Sequence, residues 1–186
     1  MTVQSQKQRT LMNWLLEFER FFKEREDALK AVLDLSGARE GWLQAELFRE
    51  FHGLHSGFHV NKYVGRQQFD VVCSTPDLVA ELKVLGTSYQ RKVVTGGKLD
   101  CEQVLAHPIG PEERVLVEGW GLMSDYFKLL DVPKELADAS KVLILVADLN
   151  NSDDDLTRVL REIRFQSKEA LDVLLSRGLV RMWQLS

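Results

Sequence analysis

Between residues 11 and 35 the apolar positions Leu11, Trp14, Leu15, Phe18, Phe21, Phe22, Leu29 and Val32 recur mostly three and four apart, which lays one stripe along a helix. A second helical stripe, Trp42, Leu43, Leu47, Phe51 and Leu54, follows Ser36-Gly37 and ends in the glycine- and histidine-bearing stretch 53–57. The period then changes. Residues 58–64 alternate loosely between Gly57 and Gly65, and FDVVCSTPDLVAELKV, residues 69–84, reads as two apolar strands around the turn formers Ser74, Thr75, Pro76 and Asp77. Residues 86–110 are polar, with Gly96-Gly97 and Pro108, so this stretch reads mainly as loop with a helical turn around 101–106.

At Pro111 the pattern predicts a helix. Proline suits its first position, Glu112-Glu113 suit the positive end of its dipole, and Val115, Leu116, Trp120, Met123, Phe127 and Leu130 supply its buried face. Gly119 and Gly121 would let it approach a sheet closely. The run KVLILVADL, residues 141–149, has the length and near-continuous apolarity of a strand covered on both faces. Residues 150–155 then cap a helix carrying Leu156, Val159, Leu160 and Ile163, which continues or restarts at Ser167 and ends near Gly178, before a last strand over 179–185. This order predicts an α/β fold with a mixed central sheet sandwiched by helices. It predicts one domain, with a helical extension over 1–36 and a helix and strand over 150–186 after the core.

Composition narrows the picture a little. A chain of 186 residues with 45% hydrophobic positions can bury a real core as one domain. The net charge of -4 argues against a freestanding basic nucleic-acid binder, while leaving room for a local basic patch. Glu17, Glu19 and Arg20 interrupt the first apolar segment, so neither a signal peptide nor a membrane span is expected, and the expected location is cytoplasmic. Cys73 and Cys101 lack the paired spacing of a zinc site and read as free thiols.

The hairpin carries the chemistry. A turn over Ser74 to Asp77 pairs Cys73 with Leu78, Val72 with Val79, Val71 with Ala80, and Asp70 with Glu81. A two-residue loop of Thr75-Pro76 gives the same register. Two carboxylates facing each other across a ladder, about 5 Å apart, repel by roughly 3 kcal/mol at an effective dielectric near 20. Either one stays protonated or a cation sits between them. A hard ion such as Mg²⁺ takes a few carboxylate oxygens plus water and phosphate, so the second remedy also makes a catalytic site. Lys83 lies on the same face as Glu81, where an ammonium could orient water and offset charge on a phosphate. The plainer alternative is an edge hairpin with solvated charges.

An acidic residue on one strand, a short turn, and a hydrophobic strand ending in Glu81-Leu82-Lys83, preceded by a helix bearing glutamate and followed by helix and strand, resembles the PD-(D/E)XK nuclease superfamily. The resemblance spans about residues 41–149 and implies a restriction endonuclease-like core of helix, three strands, helix, strand. It implies that Asp70 and Glu81 bind Mg²⁺ or Mn²⁺, that the Leu82 carbonyl is a further ligand, and that Lys83 positions water for phosphodiester hydrolysis. Phe69 stands where the name-giving proline would be. Glu46 resembles the acid that many members carry on the first core helix, although Arg49 and Glu50 at helical spacing offer it a local ion pair instead. Gln44 is a weaker candidate on the same helix.

Among the remaining polar groups, Gln90, Arg91 and Lys92, after Tyr89, form the most basic stretch near the hairpin and suit a nucleic-acid backbone. His52, His55 and His59 read as surface residues at a helix end, Arg158, Arg161 and Arg164 as a solvated face, and Asp153 to Asp155 as a helix cap. The expected function is metal-dependent hydrolysis of DNA, ahead of RNA. The alternative is a catalytically silent binding or scaffold subunit of the same fold, and a homodimer or protein partner is compatible with either.

Overall fold

The computed structural model of the chain describes residues 13–35, 37–75, 77–176 and 178–186. A six-stranded mixed sheet forms its centre, built from β1 (His59–Val64), β2 (Gln67–Ser74), β3 (Asp77–Leu85), β4 (Ser140–Asp148), β5 (Glu169–Leu174) and β6 (Gly178–Leu185). Spatially the order is β1-β2-β3-β4-β6-β5. Only β3 and β4 run parallel; the other neighbours are antiparallel. A parallel neighbour requires a crossover, and residues 86–139 supply it. The apolar run of β4 lies in the middle, as a strand covered on both faces should.

Helices cover both faces. On one side α1 (Trp14–Glu24), α2 (Glu26–Leu33) and α3 (Arg39–Phe51) bury Trp14, Phe18, Phe22, Leu33, Leu47 and Phe51 against Val71, Ala80, Leu82, Ile144 and Met182. On the other side α4 (Arg91–Thr95), α5 (Cys101–Ala106), α6 (Leu122–Leu130) and α7 (Asp154–Glu162) pack Val94, Val104, Tyr126 and Leu160 against Phe69, Val79, Leu143 and Trp183. The sandwich is the predicted one. Cys73 and Cys101 are buried, free thiols.

Four elements differ from the sequence reading. The first stripe is two helices, because the chain breaks at Arg25, whose guanidinium leaves the helix direction to meet Glu50 at 2.6 Å and to lie over the Phe21 ring at 4.4 Å. Leu11, at the start of that stripe, falls outside the described residues. The helix expected from Pro111 is a short 3₁₀ segment (Pro111–Leu116), then a turn, and α6 starts only at Leu122. Gly121 at φ 141° ends the turn, and it closes on α4 rather than on the sheet, since a Cβ there would stand 2.4 Å from the Val93 carbonyl oxygen. Residues 169–174 are a strand and not a helical continuation: Glu169, Ala170, Leu171 and Leu174 are good helix formers, yet pairing with β6 fixes the segment at the sheet edge. The turn at 101–106 is α5, and α4 was not foreseen.

Candidate functional site

The predicted hairpin register holds where the ladder forms: Ser74 pairs with Asp77, Cys73 with Leu78, Val72 with Val79, and Val71 with Ala80. There the β2–β3 ladder stops, so the expected pairing of Asp70 with Glu81 does not form. The next backbone donor, the Leu82 N–H, goes to the Asp70 side chain instead, at 2.7 Å to Oδ2. The reason lies in β2, where the pleat slips: Phe69 and Val72 pack on the α6 side while Val71 and Cys73 pack on the α3 side. A regular strand would place Phe69 and Val71 on one face. On the other flank the β1–β2 pairing omits Asn61 and Asp70, and Asn61 adopts φ 50°. Asp70 therefore turns into the gap between the parting strands.

A polar relay holds it there. Asn61 Nδ2 donates to Gln44 Oε1 at 2.7 Å, and Gln44 Nε2 donates to Asp70 Oδ1 at 2.9 Å. Gln44 is itself buried, so α3 reaches the gap through an amide. The N–H and C=O of one residue in an extended strand face the same neighbour, so the Leu82 carbonyl faces this gap as well.

Glu81 and Lys83 share the face that also carries Val79 and Leu85, under α6, and both are buried at 2% and 8% exposure. Each meets an opposite charge from α6. Lys128 Nζ lies 2.6 Å from Glu81 Oε1, and Asp125 Oδ2 lies 3.1 Å from Lys83 Nζ. Glu40, at the start of α3, comes within 3.0 Å of the same ammonium. Although each meets an ammonium, neither Glu81 Oε1 nor Asp125 Oδ2 receives a hydrogen bond of good alignment.

Burial dominates the electrostatics. It pushes the Glu81 carboxyl up to about 9, with the Asp70 charge adding to the rise and Lys128 opposing it without winning. Asp125 rises to about 6, again through burial first, with Lys83 pulling the other way and the Asp70 and Glu40 charges adding. For Lys83, burial works against the ammonium, but Asp125 and Glu40 together outweigh it, so its pKa lies above the usual value. Burial beside the Asp70 charge is thus met by a proton on Glu81, with the Lys128 ammonium as its close neighbour.

This has a measurable consequence. Glu81 keeps its proton to about pH 9 when folded and only to about 4.5 in the unfolded chain. Between those values the folded state binds the extra proton, so this group's contribution is full below 4.5 and is lost as pH rises, at up to about 1.4 kcal/mol per pH unit. Asp125 adds the same sign between 3.8 and about 6. In urea titrations between about pH 5 and 8, Glu81→Gln is expected to flatten the decline in stability shown by the parent. Parallel pH profiles for the two proteins would show that Glu81 does not titrate in this window.

The other candidates separate. Glu46 pairs with Arg49 and lies 3.5 Å from Arg25 Nε, directed away from the hairpin, so Glu40 is the α3 acid that reaches Lys83. Gln90 and Lys92 line a cleft of about 330 Å³ together with Lys83 and Glu40. Arg91 is turned toward Asp153 and Asp155, at 3.6 and 3.8 Å. Asp153 caps α7 by accepting from the Leu156 N–H, as expected of that acidic run. His55 packs against Trp14 and Phe51, and His52 against Phe48. Among the described residues, no group of three or more His, Cys, Asp or Glu side chains is arranged to hold a metal ion.

Glu40, Asp125 and Lys128 were missed. Glu40 had a signal, since Glu40, Gln44, Leu47 and Phe51 step by four, three and four along the buried face of α3, whereas Glu46 lies off that face. Asp125 and Lys128 also sit on the stripe running from Leu122 to Leu129, where charges are out of place. No family model matches the chain, and no curated protein or solved structure matches it either.

Proposed function

We propose that the chain is a metal-dependent phosphodiesterase acting on nucleic acid, DNA ahead of RNA. The observation that carries this reading is the interrupted hairpin: Asp70 leaves the pleat to occupy a strand gap on the main chain of Leu82, within electrostatic reach of Glu81, with Lys83 two residues further along β3. A structural hairpin gains nothing from breaking its ladder to gather like charges. With α4, α5 and the 3₁₀ turns set aside as additions within the crossover, the order α3, β1, β2, β3, α6, β4 supports the core implied by the resemblance to PD-(D/E)XK nucleases.

The residues fit a hard divalent cation in kind. Asp70 and Glu81 offer carboxylate oxygens, Glu81 Oε1 is a buried acceptor without an aligned donor, and the Leu82 carbonyl faces the gap. Bound there, Mg²⁺ or Mn²⁺ would acidify a water and neutralise phosphate charge. For Glu81 to serve as a ligand it gives up its proton, and the Lys128 ammonium gives way. Lys83, held cationic by Glu40 and Asp125, faces the cleft and stabilises negative charge on the phosphate oxygens as water attacks phosphorus and the bond to the departing sugar oxygen breaks.

One observation favours a second reading. Burial holds the Glu81 carboxyl neutral and its ammonium neighbour, Lys128, is internal, so the position needs no added ion, which is what a silent binding or scaffold subunit would need. Metal separates the two. The hydrolase is expected to nick supercoiled plasmid or cut single-stranded DNA with Mn²⁺ and not with EDTA, and to melt at a higher temperature when Mn²⁺ is added. Absence of cleavage on plasmid, single-stranded DNA and RNA, together with unshifted melting, would select the scaffold.

A further inference from the structure

From the cleft mouth we infer a nucleobase-stacking subsite: Trp120 takes the face of an unpaired base while Arg39 and Lys92 hold the neighbouring phosphates, so the preferred ligand is single-stranded nucleic acid. The inference specifies the substrate class of the proposed hydrolase and depends on that reading for its catalytic meaning, although binding itself can be measured without catalysis.

Trp120 is 68% exposed, an unusual placement for an indole, and it lines the same cleft as Lys83, Gln90 and Lys92. Its position is fixed by backbone. Gly119 has φ 76° and Gly121 φ 141°, and Gly121 lies against the Val93 carbonyl so closely that no side chain fits between them. Upstream, the Glu118 N–H donates to the Gly96 carbonyl at 2.7 Å, and Gly97 bridges to Val117. The indole is thus presented on a braced turn at the entrance to the cleft.

The charges beside it are unspent. Arg39 makes no ion pair among the described residues, its Nε is buried without a hydrogen-bond partner, and its guanidinium occupies space that a side chain at Gly86 would fill. Lys92 is exposed and likewise makes no ion pair among the described residues. Within the cleft, Glu40 is the single acid and is engaged by Lys83. In a chain of net charge -4, an indole beside two unpaired cations suits a base with its flanking phosphates. A base inside a duplex keeps its faces stacked on its neighbours, so an aromatic platform of this kind selects unpaired nucleotides. Val115 and Leu116 are also exposed nearby in sequence, but they do not line the cleft.

The test uses a fluorescein-labelled oligo(dT) and a duplex of equal length, titrated by anisotropy in EDTA so that hydrolysis is absent. The parent is expected to bind the single strand more tightly than the duplex, and Trp120→Ala to weaken single-strand binding by about ten-fold or more while Trp120→Phe keeps part of it. Lys92→Ala should weaken both ligands and lower the salt dependence. Because Trp120 is exposed, unchanged melting of the variants is expected and is checked alongside. Equal binding by parent and Trp120→Ala, a duplex preference, or no binding by the parent would overturn the subsite. So would self-association that Trp120→Ala abolishes in a protein that binds no oligonucleotide, which would make Trp120 a protein contact. Binding as expected without cleavage under Mn²⁺ keeps the subsite and defeats the hydrolase. Cleavage under Mn²⁺ with single-strand binding unaltered in Trp120→Ala does the reverse.

Discussion

Lys83→Ala is expected to bind Mn²⁺ at least as tightly as the parent while its nicking rate falls by roughly two orders of magnitude or more, whereas Glu81→Ala loses both. The asymmetry follows from what each group touches. Glu81 lies near enough to Asp70 for that charge to raise its pKa, so its removal takes away half of the proposed carboxylate pair. Lys83 instead neutralises Glu40 and Asp125 and faces the cleft. Its deletion withdraws the ammonium from the phosphate and leaves Asp70 and Glu81 in place for the cation. Asp125, already raised to about 6, rises further without that ammonium and stays neutral, which limits the damage to the fold. Calorimetric Mn²⁺ titration beside a plasmid nicking assay reads both quantities. Undiminished cleavage by Lys83→Ala would remove the lysine from the mechanism, and loss of Mn²⁺ binding in that variant would show that it supports the ligands rather than the reaction.

How much of this could be read from the chain depends on the distance over which each interaction acts. The hairpin register was legible because turn formers and alternation are local, and counting outward from Ser74 and Asp77 places every pair in the ladder. Counting could not foresee that Asp70 would leave the pleat. That departure needs Gln44 on α3, Asn61 on β1 and the free N–H of Leu82, three groups from separate elements. The ammonium on Glu81 comes from α6, across a crossover of more than forty residues, and no local pattern ties Lys128 to β3. Glu46 follows from the resemblance, which puts an acid on the first core helix, whereas the buried face of that helix points to Glu40. For β5 the local preference was helical and the sheet overrode it, as happens at an edge where pairing with one neighbour decides the conformation.

Lys128→Met carries the second large effect. The Lys128 ammonium stands 2.6 Å from Glu81 Oε1 and 5.1 Å from the centre of the Phe69 ring, on a side chain still 29% exposed. It therefore competes for the oxygen that a divalent ion would take, and it has a route to solvent when displaced. Methionine preserves the apolar stem and a favourable contact with the aromatic ring while removing the charge. Without the ammonium, Glu81 loses the one nearby group that opposes its rise, so it holds its proton more firmly and the fold avoids an unpaired buried charge. Two charges at such a distance interact by several kcal/mol even at an effective dielectric near 20, so relief of that repulsion is expected to tighten Mn²⁺ binding about ten-fold or more once the proton cost is subtracted. Because metal binding must expel the Glu81 proton, affinity should also climb with pH, toward about 9 in the parent and beyond that in Lys128→Met. Melting curves with and without Mn²⁺ at two pH values check both points. A larger Mn²⁺ shift in Lys128→Met than in the parent identifies the ammonium as a placeholder for the ion. A variant that is merely less stable and indifferent to Mn²⁺ would make Lys128 the permanent counter-ion of Glu81, the arrangement a silent scaffold requires.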